Sequence, residues 1–336
     1  MKSVLKALIG VFAVLSTLAI IGAVGGFLWA SQQFTKAGGF DTSIEVTIPS
    51  GSHIGGIAEI LMYESVIDQP MIFTIAGRMT GQATRLKAGE YEIPAQASMQ
   101  EILDLFESGK VILRQITIRE GLTNWEIKQI LLGNDELAKT DDLPLKAEGM
   151  YLPETYSYQK GDSAVDIMNR MSIALEETLN AEWENRVPDL PLKTKEEALV
   201  LASIIEKETA VPSERRKVAG VFINRLKRGI PLQTDPTVIY ALTLGEHKNE
   251  GQGPLGRRLL KKDLEIDSPY NTYKYAGLPP TPIANAGKAS IEAALNPEEH
   301  NYIYFVADGS GGHAFGKTLA EHNANVAKWR KIRKSQ

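Results

Sequence analysis

The chain opens with an unbroken apolar run. Lys2 and Lys6 precede Ala7 to Ala30, a stretch of almost entirely apolar or small residues with no charge. About 20 such residues cross the hydrocarbon core of a bilayer as a helix. A secretory signal instead has an apolar core of about 7–15 residues before its cleavage site. Ala23 to Gly25 imitate such a site, yet the run continues through Phe27, Leu28 and Trp29. The pattern predicts a cytoplasmic stub and uncleaved anchor over residues 1–30, with a cleaved signal peptide as the alternative. The flanking lysines set the N-terminus on the cytoplasmic side, and Trp29 suits the opposite interface. Everything after about residue 31 then lies outside the membrane.

Beyond a polar connector, 31–42, the period changes. "IEVTIPSGSHIGGIAEIL" (Ile44 to Leu61) aligns without gaps on "RQITIREGLTNWEIKQIL" (Arg114 to Leu131). Val46 and Ile48 match Ile116 and Ile118, Gly51 matches Gly121, and Ile57, Ile60 and Leu61 match Ile127, Ile130 and Leu131. Each copy reads as an alternating strand, a glycine turn and an amphipathic helix. Between them lie a strand in "LKAGEYEI" and a helix in "SMQEILDLFESGK", with Ser98 and Glu101 as a capping box and Gly109 as terminator. The fold class is therefore α+β, with a small module over 43–132 and a second domain over 133–336.

That second domain begins with a charged, proline-containing segment and "YLPETYSY". A helix centred on Asp166 to Leu179 follows. Thr194 and Glu197 then form a capping box for a helix running from near Lys195 to near Thr209, ahead of Pro212. "SERRKVAGVFINRLKRG" predicts another helix, with Ser213 as N-cap, Val218, Val221, Phe222 and Leu226 as its apolar stripe, and Gly229 at its end. From Gln252 to Ala286 the chain is rich in Gly, Pro, Asn and Tyr, and long stretches of this kind are often functional. "NYIYFVADGSGGHAF" reads as a hairpin turning at Asp308 to Gly312. A basic amphipathic helix from about Leu319 closes the chain.

Composition narrows the chemistry. The 336 residues are 43% hydrophobic and 23% charged, enough for roughly two compact domains and unlike a disordered chain. The formal net charge of −4 argues against nucleic acid as a partner. There is no cysteine, which excludes thiolate metal sites, cysteine nucleophiles and disulfides. The histidines His53, His247, His300, His313 and His322 lack metal-ligand spacing. Phosphate-loop, Rossmann and G-x-S-x-G patterns are missing too, so neither metal nor cofactor is expected.

The segment "ASIIEKETA" (Ala202 to Ala210) carries two glutamates two residues apart. At 100° per residue, Leu201, Ile204, Ile205 and Glu208 share an arc of about 100°, while Glu206 lies on the flank. Apolar neighbours and the negative end of the helix dipole both disfavour an anion at Glu208 and raise its pKa. A carboxyl kept protonated near neutral pH suits general-acid catalysis on an acetal oxygen. The bland alternative is a structural glutamate bonded to backbone or to an arginine such as Arg225. Glycosidic hydrolysis ordinarily needs a second carboxyl, and Asp235 in "LQTDPTVIYAL" is the nearest. Asp-Pro more often starts a turn or caps a helix, here with Pro236 at the first helical position. Tyr270, Asn271, Tyr273 and Tyr275 would suit a sugar-binding wall, or equally an edge strand before a proline-rich turn.

Three long segments carry a resemblance: "ASIIEKETAVPSERRKVAGVFINRLKRGIPLQTDPTVIYAL", "SPYNTYKYAGLPPTPIANAG" and "YIYFVADGSGGHAF". In content, order and spacing they resemble the YceG-like endolytic murein transglycosylases, also called the MltG family. The resemblance implies a bitopic inner-membrane protein, with its C-terminal part periplasmic, that cleaves peptidoglycan glycan strands internally. It also implies a LysM-like module ahead of the catalytic domain, with the repeat over 43–132 resembling that module and the second copy open to assignment to the catalytic half. The family's essential glutamate falls on Glu208. Such a lyase needs no external nucleophile, because the C6 hydroxyl of N-acetylmuramic acid attacks its own C1 and leaves a 1,6-anhydro end. The resemblance further places Glu154, Asn224, Gln233, Thr234, Asp235, Tyr240, Asn271 and Tyr273 around the substrate. It implies a role as terminase of strand elongation, with peptidoglycan synthases as partners.

Overall fold

The computed structural model describes residues 2–247 and 254–335; Gln252, where the Gly/Pro/Asn/Tyr-rich stretch begins, lies outside them. The protein is mixed helix and strand, and divides into two compact units, residues 1–114 and 115–336. The first helix, α1 (Lys2–Thr35), runs past Ala30 because no glycine or proline interrupts residues 31–36. Its segment Leu8–Thr35 is long and apolar enough to cross a membrane.

The N-terminal unit is built on a two-stranded antiparallel sheet. Strands β1 (Ile44–Ile48) and β2 (Gly89–Ile93) pair with Val46 opposite Tyr91. Helices α2 (Ile54–Tyr63) and α3 (Pro70–Met79) lie between them in sequence, and α4 (Met99–Ser108) follows. Val46, Ile48, Ile57, Leu61, Phe73, Tyr91, Leu103 and Phe106 form the core. The predicted capping box of Ser98 and Glu101 is present, and Gly109 ends α4 in the left-handed region.

The C-terminal unit starts with the second copy of the repeat, β3 (Arg114–Thr117) and α5 (Asn124–Leu132). The two copies agree at backbone level. Gly51 and Gly121 both take positive φ (80° and 76°), a conformation that favours glycine. Two residues on, His53 and Thr123 are the matching N-caps. The copies nevertheless fall in different units. Ile127 and Leu131 of α5 are buried with Tyr151, Tyr156, Ile167 and Met171, which follow them in sequence. The compact units thus divide after Arg114, with the second copy of the repeat on the C-terminal side.

Strand β4 (Thr155–Tyr158) pairs with β3, and α6 (Ala164–Glu184) packs beneath. Helix α7 (Lys195–Glu208) spans the predicted residues; Thr194 Oγ1 accepts from Glu197 N at 3.2 Å, while the Glu197 carboxylate turns to the Lys193 N–H. Every residue from Ala198 to Ile205 is buried. A helix enclosed on all sides has no single apolar stripe, and its small residues Ala198, Ala202 and Ser203 let neighbours approach. These are chiefly α10 (Lys288–Leu295) and α8 (Arg215–Lys227), with α6 and α9 (Asp235–Thr243) alongside.

Two helix starts differ from expectation. Ser213 sits inside a short 3₁₀ turn, Pro212–Glu214, so α8 begins at Arg215 without a side-chain cap. Thr234, rather than Asp235, is the N-cap residue of α9, which puts Asp235 itself in the first turn. The tyrosine-rich segment forms turns, not an edge strand. It is tied down by the fully buried Asn271, whose amide donates to the Leu264 and Ile266 carbonyls at 2.9 and 2.8 Å. The predicted hairpin forms from β5 (Tyr304–Ala307) and β6 (His313–Gly316), with Ala307 opposite His313. Helix α11 (Leu319–Ser335) packs on it.

Candidate active site

Glu208 is the last residue of α7 and opens into a cleft of about 490 Å³, within the range of small-ligand sites. Gln233, Asp235 and Tyr273 share that cleft with Arg225, and Tyr304, Phe305 and His322 line it from the hairpin and α11. The chain after α8 brings these groups together through one strained turn. Gln233 takes φ of +52°, a region that costs a non-glycine residue about 1–2 kcal/mol. The turn is held by Gln233 N donating to the Thr272 carbonyl (3.1 Å) and Thr234 N donating to Thr272 Oγ1 (3.1 Å). It delivers the buried Thr234 hydroxyl to Glu208 Oε1, to which it donates.

Burial pushes the Glu208 carboxyl above the usual carboxylate range, and the nearby Asp235 adds to the rise. The Thr234 hydrogen bond works against it, as do the charges of His313 and Arg225. The group is therefore predisposed to carry a proton, yet has a donor ready for its anion. Arg225 does not neutralise it as an ion-pair partner. Its guanidinium donates to the carbonyls of Ile303 (2.7 Å), Pro231 (2.9 Å) and Leu232 (3.0 Å), and so builds the turn beside the cleft. That disposition removes the structural alternative in which Arg225 holds Glu208.

Around this centre Tyr273 Oη donates to Asp235 Oδ1 at 2.6 Å, which fixes a second carboxylate in the cleft. His313 donates its Nδ1 proton to Glu214 at 2.7 Å, and its backbone N–H to the same carboxylate at 3.0 Å. Tyr304 stacks on His322 with centroids 5.1 Å apart.

The other residues implied by the family resemblance separate. Gln233, Thr234, Asp235 and Tyr273 meet Glu208. Asn224 faces elsewhere, donating to the His300 and Tyr302 carbonyls at 2.7 and 3.0 Å. Tyr240 is buried against Tyr270 and donates to Glu148 at 3.3 Å. Asn271 is an internal brace, and Glu154 is solvent-exposed. None of these four lines the Glu208 cleft.

The pair in "ASIIEKETA" also departs from a simple inward–outward division. The Glu206 side chain is only 6% exposed and lies 3.6 Å from Arg215, while accepting the Gly287 N–H at 2.9 Å. It anchors the end of α7 to the start of α10. Glu148, a second carboxyl whose pKa burial raises, carried no local signal. Its oxygens are taken by the N–H groups of Asn124 and Gly149 and by Tyr240, which suits a brace and not an acid. His313 and the aromatic wall were likewise not legible as site members, because they are distant in sequence, whereas Arg225, weighed above as a structural partner of Glu208, does border the cleft. Among the described residues no cluster of His, Asp and Glu could hold a metal ion.

Comparison with known proteins adds a family context. The YceG-like family model matches residues 46–328. A protein named endolytic murein transglycosylase from Bacillus subtilis is 36% identical over 325 residues, covering 86% of this chain and 85% of the relative. One of the same name from Streptococcus pneumoniae is 29% identical over 84% of this chain and 58% of its own length. A crystal structure of a YceG-like protein from Listeria monocytogenes superposes with a TM-score of 0.52 at 34% identity, covering 84% of this chain and 98% of the other.

Proposed function

This chain belongs to the YceG-like family, and from that premise we propose that it is an endolytic peptidoglycan lytic transglycosylase with Glu208 as its catalytic group. The observation that carries the proposal is the state of the Glu208 carboxyl: raised by burial, opening to a cleft, and hydrogen-bonded by Thr234. Protonated Glu208 gives its proton to the oxygen bridging N-acetylmuramic acid and N-acetylglucosamine. The resulting carboxylate, steadied by the Thr234 hydroxyl, then takes the proton of the muramic C6 hydroxyl as that oxygen closes on C1. The bond to the leaving sugar breaks, the 1,6-anhydro bond forms, and the enzyme ends protonated as it began. Neither water nor a cofactor enters the reaction. Tyr304, Phe305 and Tyr273 offer ring faces to the sugars, and Gln233 and Asp235 offer polar contacts.

The helix Leu8–Thr35 supports a single-pass anchor in the inner membrane, with the N-terminus cytoplasmic and the remainder periplasmic. The unit over 43–114 is read as the LysM-like wall-binding part. Held beside the membrane, the enzyme would meet new strands, act as terminase of their elongation and neighbour the synthases that make them. A second reading rests on Asp235, the other carboxylate in the cleft: a muramidase would use it to activate water or as nucleophile. Mass spectrometry of the products from purified peptidoglycan separates the two. Anhydro-muramic ends support the lyase, reducing ends the muramidase, and uncut strands a wall-binding scaffold.

A further inference from the structure

Helix α3 is apolar on both sides. Phe73 and Gly77 face the core of the N-terminal unit. On the opposite side Met71, Ile75 and Met79, spaced one turn apart, are 73%, 49% and 70% exposed. The helix has no acidic residue, and its one charge is Arg78. An outward stripe of this kind is unusual on a helix that faces only water.

What lies beside it supplies the occupant. Ile72, Ile75 and Met79 border an apolar groove of about 240 Å³ whose other wall is Phe27, Ala30 and Phe34 of α1. Phe34 packs into the same core as Phe73. An α-helix rises 1.5 Å per residue, and the hydrocarbon core is about 30 Å thick. A span entered at Leu8 therefore leaves the hydrocarbon near Leu28. On the reading of α1 as a span, Leu28 to Phe34 lie at the headgroup–acyl boundary on the far side, and α3 packs against these last turns of the helix.

The geometry points to α3 as an interfacial helix: its Met71–Ile75–Met79 face rests in the outer headgroup–acyl boundary of the phospholipid bilayer, with Arg78 reaching the headgroups. The inference rests on the reading of α1 as a membrane span. It means that the N-terminal unit is seated on the membrane and not held above it on a free tether.

The natural absence of cysteine allows one label per molecule. The full chain, carrying Met71→Cys, Ile75→Cys or Met79→Cys with an environment-sensitive fluorophore, is reconstituted alone in phosphatidylethanolamine/phosphatidylglycerol vesicles. Leu18→Cys in the span and Glu92→Cys on the exposed side of β2 serve as controls. Lipids with a nitroxide high on the acyl chain should quench the three α3 labels several-fold more than the label at 92. Lipids with a deep nitroxide should quench the label at 18. If position 18 is quenched and the α3 positions match position 92, the interfacial role is overturned while the anchor stands; the stripe would then be free for a protein partner. If position 18 escapes the deep quencher, the anchor fails and the interfacial role with it.

Discussion

Replacing Thr234 by Val tests how the Glu208 carboxyl is tuned. The change keeps the side-chain shape and removes only the hydroxyl that donates to Glu208 Oε1. Thr234 is 2% exposed, so water cannot take its place. The hydroxyl makes no capping bond to α9 although it occupies the N-cap position, so the helix loses nothing by the change. A hydrogen bond to an ionised group is worth about 1.5–3 kcal/mol. The anion of Glu208 forms as its proton leaves for the glycosidic oxygen, so the loss falls on the transition state. A loss of about ten- to hundredfold in kcat/KM follows, since each tenfold is about 1.4 kcal/mol. The hydroxyl also holds down a pKa that burial raises, so the pH–rate profile of the variant should move to higher pH. Initial rates of peptidoglycan cleavage between pH 4 and 9, with thermal unfolding as a check on folding, measure both effects. An unchanged profile, or one displaced to lower pH, would refute this account of Glu208 tuning.

Three further outcomes follow from the same structure. Glu206→Gln keeps an oxygen for the Gly287 N–H but loses the charge facing Arg215; it should cost about 1–3 kcal/mol in chemical denaturation and leave most cleavage, and activity as low as that of a Glu208 variant would contradict the separate roles. Gly149→Ala places a Cβ 2.4 Å from Pro282 at a φ of +79°, so denaturation should show a loss of about 2–5 kcal/mol from overpacking and left-handed strain; an unchanged midpoint would show that the segment relaxes freely. Glu208→Gln alters stability with pH. Because the folded-state pKa of Glu208 is raised, its stabilising contribution is full below the unfolded pKa of about 4.3 and is lost as pH rises through the folded value. The Gln variant should therefore gain on the native protein in denaturation midpoint from pH 4 to pH 8, and the opposite trend would mean that the carboxyl is stabilised as an anion.

Local signals carried much of the fold. The long apolar N-terminal helix, the repeated strand–turn–helix, the capping box at Ser98, the extent of α7 and the hairpin all rest on patterns a few residues apart, which a sequence displays directly. The boundary at 114 depends on which neighbours bury Ile127 and Leu131, a tertiary choice absent from the repeat itself. Glu208 was legible as an inward carboxyl at a helix end, although the helical wheel placed Glu206 too far outside. A fully enclosed helix has partners on every side, including Arg215 and the Gly287 N–H. Proximity in a motif proved a poor guide to the cleft. Asn224 and Arg225 are adjacent on α8, yet only Arg225 turns toward Glu208. His322, Tyr304 and Glu214 come from segments that only tertiary packing brings near.

The central claim is that one carboxyl, Glu208, carries both proton transfers. Its most direct test is mass spectrometry of peptidoglycan products from the native protein and from Glu208→Gln, prepared side by side. The native protein should release strands ending in 1,6-anhydro-muramic acid, while the variant, still folded, should lose about 10²–10⁴-fold or more of that product. Anhydro ends formed at the native rate by Glu208→Gln would contradict the account outright.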